Sequence, residues 1–194
     1  MHDSRKRVRE NKYIEIEVTV RSKNGKVIKH FKKRSDSFVA NYYRIIRVLF
    51  ACPLSGTVKD MGGNDRTITC PNKIDVMAPE DDDSYGILIG KGTTSPTPDD
   101  YTIESQVFND TLRHKVVSVS AVTISGSETS FTVSRDFVNV SGADQTIYEI
   151  AEVAKVTTTE GDVEVLIFRH VESGGITVPN GATLTVQIKH KIVT

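Results

Sequence analysis

The sequence predicts a mainly β protein: an antiparallel β-sandwich, jelly-roll or immunoglobulin-like, with an N-terminal hairpin and one amphipathic helix. Three observations carry this. From about Tyr101 to Thr194, apolar and polar residues alternate in short runs, among them Val116 to Ile124, Ser130 to Val140 and Leu184 to Val193. Turn-forming clusters part the runs: Ser125-Gly126-Ser127, Ser141-Gly142-Ala143-Asp144, Glu160-Gly161-Asp162, Ser173-Gly174-Gly175 and Pro179-Asn180-Gly181. One segment, after Asp36, shows convincing helical spacing instead. Period-two runs bounded by turn residues mark half-buried antiparallel strands, and turn signals at roughly 8–12-residue spacing mark a sandwich or barrel.

In chain order, Lys12 to Lys33 predicts a hairpin. Ile14, Ile16, Val18 and Val20 alternate with polar residues, and Asn24-Gly25 is the turn signal, favouring a type I′ turn with positive φ at both central positions. The lysines of the return strand suit an edge strand guarded against unwanted pairing. Asp36 or Ser37 can cap the helix, predicted over about 37–51 by Phe38, Tyr42, Ile45, Ile46 and Leu49, and Cys52-Pro53 ends it. Thr57 to Ile74 predicts a second hairpin, Met77 to Ser84 an acidic loop and Tyr85 to Ile89 a short apolar strand. Gly90 to Asp100 reads as a linker, and Ile103 to Lys115 as loop with a short strand. The domain division expected is a basic arm and hairpin over 1–35 and a single sandwich with its helix over 36–194.

The 194 residues suffice for one good core, and 38% hydrophobic with 26% charged residues is a globular composition. A formal net charge of zero argues against a dedicated nucleic-acid binder but hides an asymmetry. The N-terminal stretch is basic and the stretch from Asp75 to Asp110 is acidic. Complementary charge on one chain suggests head-to-tail contact between copies. The contact candidates are Arg5, Arg7, Arg9, Lys32, Lys33 and Arg34 against Asp81, Asp82 and Asp83. The start of the chain lacks the apolar core of a signal peptide, and no apolar run is long enough to span a bilayer. Cys52 and Cys70 would lie near the open ends of the second hairpin's arms and are a candidate disulfide; with no histidine nearby they make a poor zinc site.

No motif commits the chain to catalysis, so it reads as a non-enzyme with no cofactor and no metal. Gly86-x-x-x-Gly90-Lys91-Gly92 imitates a phosphate loop, but it is one residue short, lacks Ser or Thr after the lysine, and leads into proline rather than a helix. Glu80-Asp81-Asp82-Asp83 lacks the ligand spacing and glycine of a calcium loop. His114, His170 and His190 lie in predicted strands beside basic residues, and surface strand positions account for them. No nucleophile-elbow pattern occurs. Asn109-Asp110-Thr111 and Asn139-Val140-Ser141 match a glycosylation sequon by chance if no secretory signal is present.

Three stretches carry a family resemblance: Tyr85 to Ser105 (YGILIGKGTTSPTPDDYTIES), Phe131 to Asp144 (FTVSRDFVNVSGAD) with Ile147 to Ile150, and Ile167 to Val171 with Ile176 to Val186. In strand-and-turn pattern they resemble small β-rich virion structural proteins of tailed phages and archaeal viruses, of the head-decoration, tail or fibre type. The resemblance implies a noncatalytic protein that is made in the host cytoplasm and assembles in or onto a viral particle. Its partners would be copies of itself, as a homo-oligomer, and other virion proteins, with neither nucleic acid nor membrane. A receptor- or glycan-binding module at a fibre tip is the alternative; the absence of tryptophan and the few tyrosines lean against it.

Overall fold

The computed structural model describes residues 11–35, 38–50, 55–69 and 73–193. Ile14, Ile16, Val18 and Val20 of β1 (Asn11–Arg21) are all fully buried, so the alternation seen in the sequence is the inner face of a strand. Each such side chain contributes roughly 1.5–3 kcal/mol by leaving water. The strand pairs antiparallel with β2 (Val27–Ser35) on one side and β13 (Thr183–Val193) on the other. The hairpin is therefore integral to a large sheet rather than an arm beside it. The first sheet has the order β2-β1-β13-β10-β7, with β10 spanning Glu128–Asn139 and β7 Leu112–His114. Strands β8 (Ser118–Val119) and β9 (Thr123–Ser125) also pair with β10, on the β7 side.

The hairpin turn differs from the two-residue type expected. The amide of Gly25 donates to the Ser22 carbonyl and the amide of Ser22 to the Lys26 carbonyl, and only Gly25 has positive φ (83°). This is a type I turn followed by a left-handed glycine, a three-residue connection that tolerates ordinary φ at Asn24.

The second sheet is built on the long hairpin of β11 (Gln145–Thr158) and β12 (Gly161–Val178), with β5 (Ile74–Asp75) and β6 (Gly86–Gly90) pairing along the far side of β11. Because β10 pairs with β13 while β11 pairs with β12, the last four strands nest across the two sheets, in jelly-roll style. The two sheets face each other over one core that includes Val133, Phe137, Ile150, Phe168, Leu184 and Val186. Among the described residues the protein is thus a mainly β sandwich with one helix, as the sequence predicts.

The outer face of the second sheet is covered as well. Helix α1 (Ala40–Phe50) and the hairpin of β3 (Ser55–Lys59) and β4 (Asp65–Thr69) pack Ile45, Val48, Val58 and Ile68 onto Ala154, Val156, Val165 and Ile167. Asn41 fixes the helix by pairing its side-chain amide with both the N–H and the C=O of Lys59. The suggested caps, Asp36 and Ser37, lie outside the described residues. The segment from Gly90 to Asp100, expected as a turn-rich linker, is hydrogen-bonded to its surroundings. It packs along the sheet, with the Lys91 amide on Ser105 and the Ala40 amide on the Pro98 carbonyl.

Candidate functional site

Buried charge is the first place to seek chemistry, and among the described residues three clusters of it stand out beside the smaller pairs Asp60–Arg66 and Glu172–Lys33. On the outer face of the second sheet, Glu149 is fully buried. Its carboxylate accepts from the amides of Glu104 (2.8 Å), Gly92 (3.2 Å) and Ser105 (3.3 Å) and from Nε of Arg169 (2.5 Å). Arg169 reaches on to Asp100 (2.8 Å) and Glu104 (3.4 Å). Burial pulls the Arg169 pKa down, but the carboxylates of Glu149 and Asp100 more than offset it and hold it above its ordinary value. The glycine loop that imitates a phosphate cradle thus turns an amide toward a carboxylate of its own chain. It serves as an internal anion nest.

Arg135 forms the second cluster. It lies on the inner face of β10, is 1% exposed, and directs its donors at the carbonyls of Lys115, Tyr85, Ile87, Pro79 and Asp82. Burial lowers its pKa to about 10, with Asp82 and Asp83 opposing. The carbonyls of the acidic loop therefore coordinate a guanidinium. The loop's carboxylates are held separately: Asp81 by both arms of Arg113, Asp82 by Ser84, and Asp83 by Asn109. Among the described residues, no three His, Cys, Asp or Glu side chains converge as a metal site.

The third cluster crosses the sandwich. His190 Nε2 lies 2.9 Å from Glu152, which is 1% exposed, and its ring stacks on Phe131 at 4.5 Å. His114 is also internal, against the expectation of a surface strand position. It packs edge-on against Phe137 at 4.8 Å, and its Nδ1 meets the Leu112 carbonyl at 2.9 Å. Burial chiefly, with help from Arg135, lowers its pKa to about 4. His170 is half-buried rather than on the surface. Sequence reasoning missed Arg135, Glu149, Glu152 and Arg169. One signal was present for Arg135: it occupies the same parity as Val133 and Phe137, so an inward charge was legible.

The candidate contact residues lie at opposite sides of the first sheet, Lys32, Lys33 and Arg34 on β2 and the acidic loop beside β7. Each has partners in its own chain. Lys32 pairs with Glu17 (2.7 Å), Lys33 with Glu172 (2.7 Å), and Arg34 lies over the Tyr13 ring at 4.1 Å. A charged contact between copies would compete with these pairs. Arg5, Arg7, Arg9, Cys52 and Cys70 lie outside the described residues.

Apolar residues cluster in water at the edge of the first sheet beyond β7. Val116, Val119, Val122 and Ile124 are 60%, 37%, 64% and 78% exposed. No charged residue occurs between Val116 and Ser127. The comparisons add no identity: no family model, no curated protein and no solved structure matches the chain.

Proposed function

We propose that the chain is a noncatalytic structural protein whose copies assemble in or onto a viral particle, as a tail, head-decoration or fibre component. One observation carries the reading: a sandwich whose loops are fastened by buried arginines leaves an apolar, uncharged sheet edge in water. Exposed strand edges invite pairing with another chain, and apolar surface left in water marks contact sites. The buried ionisable groups serve as fasteners: Arg135 holds the acidic loop, and Glu149 with Arg169 holds the segment from Gly92 to Ser105. The virion setting rests on the strand-and-turn resemblance noted above. Particles banded on a density gradient from cells carrying the gene should contain the chain in many copies. Its confinement to the particle-free fraction would contradict the reading.

A further inference from the structure

We propose that the free edge of the first sheet, Ser118 to Ser125, is a self-pairing surface through which two copies join edge to edge about a two-fold axis. The inference rests on the assembly reading above and specifies its contact. Strands β8 and β9 are one bulged edge strand. Ser118 and Val119 pair with Ser134 and Val133, and the Ser120 amide continues the ladder onto Thr132. Thr123, Ile124 and Ser125 then pair with Ser130, Thr129 and Glu128. The register slips by one residue between these stretches, so Ala121 and Val122 together oppose Phe131, the signature of a β-bulge. Gly126, at φ 59°, turns the chain directly into β10. The edge alternates as a built strand does. Val119 and Ile124 share the inner face with Val133, while Ser118, Thr123 and Ser125 take the outer face.

Among the described residues, the edges at β2, β12 and β6 are guarded. On β2 the residues Lys29, Lys32, Lys33 and Arg34 stand without an acidic neighbour on the strand, and its pairing with β1 is bulged at Val20/Arg21. Lysines along an edge resist its pairing with a like edge. Lys29 and Lys33 also tie β2 to β12 through the Gly175 carbonyl and Glu172, which occupies the neighbouring edge of the second sheet. Phe38 bridges to Phe168 on β12, and Gln106 to Gly90 on β6.

Charge selects the occupant. Two copies of β2 would set lysines and arginine against their like. Two copies of 118–125 meet with no charge on either side. A two-fold axis normal to the sheet keeps both inner faces on one side, so Val119 and Ile124 of each copy extend a single apolar surface. The bulge breaks the edge into two short stretches, and each copy has one such edge, so pairing closes at two chains rather than growing into a fibre.

The test measures the mass of the full chain by sedimentation and light scattering over a concentration series, at about 0.05 M and about 1 M salt. Ile124→Lys and Val122→Lys, both at exposed positions, are compared with Ile28→Glu on β2, with circular dichroism confirming the fold. The expected result is a two-chain species unaffected by salt. Each lysine variant should weaken it by about 100-fold or more, through like charges across the axis, while Ile28→Glu leaves it intact. A wild-type chain that stays monomeric, or an association that salt dissolves, overturns the proposal. If the lysine variants associate like wild type, the edge is wrong while the assembly reading stands.

Discussion

The guanidinium of Arg135 lies 3.0 Å from the carbonyl oxygen of Tyr85. One residue of the first sheet thereby holds the entry of a strand of the second, and the same side chain gathers the carbonyls of Ile87, Pro79, Asp82 and Lys115. Arginine suits this position because its planar fork carries five N–H donors, where lysine has three on a point charge.

Truncation of Arg135 to methionine should therefore destabilise the protein by about 3 kcal/mol or more, since several buried carbonyls lose their donors together. Arg135→Lys should recover only part of that loss. Urea unfolding checks both. A methionine variant within about 0.5 kcal/mol of wild type would show that water replaces the guanidinium freely.

Glu149 and Arg169 should prove strongly coupled. Arg169→Met leaves a fully buried carboxylate without its cation, and Glu149→Gln leaves the cation short of one partner. A double-mutant cycle is expected to give a coupling of about 1–3 kcal/mol. Hydrogen exchange should at the same time speed up at the amides of Gly92, Glu104 and Ser105, which the carboxylate accepts. Additive single variants would contradict the staple.

Stability should fall on mild acidification because of His114. Its folded pKa, about 4, is below the ordinary 6.5, so the unfolded chain binds the proton first. The stabilisation from the neutral ring is complete above about 6.5 and is lost as pH falls through about 4. A difference of that size corresponds to roughly 3 kcal/mol for a buried group. Below that window Glu128 adds a further loss. Hydrogen bonds from Lys189 and Lys191 hold its pKa at about 2, so it remains ionised in the fold after the unfolded carboxyl protonates. Chemical unfolding of His114→Gln across pH 4 to 7 should show a flatter slope than wild type; an unchanged slope would remove His114 as the cause.

Gly86 should not tolerate a side chain. Its φ is 84°, and an added Cβ would sit 2.7 Å from Val117 Cγ2 and 3.0 Å from the Val76 carbonyl. Gly86→Ala is expected to cost about 2 kcal/mol or more from backbone strain and overpacking, read as a lowered urea midpoint.

Much of the fold was legible because period and face coincide. Ile14 to Val20 and Leu184 to Ile188 alternate, and each has one face buried. The second sheet hides this signal. Its two long strands are buried on both faces, and their pairing slips between Ile147 and Glu149 and again between Glu152 and Val153, with the extra residues on β12, so the parity of one strand does not carry across to the other. No periodicity could assign Glu149 and Arg169 to the outer face or reveal that α1, the β3–β4 hairpin and the segment from Gly90 onward cover it. The edge strand was legible as alternation from Val116 to Ile124, but its exposure was not. Val122 and Ile124 look like core residues until the second sheet is seen to leave them uncovered.

Edge-to-edge pairing of two copies is tested most directly by the solution mass of the full chain against concentration. The expected result is a plateau at twice the 21.4 kDa chain mass, held at high salt. A mass that stays at one chain at every concentration would contradict it.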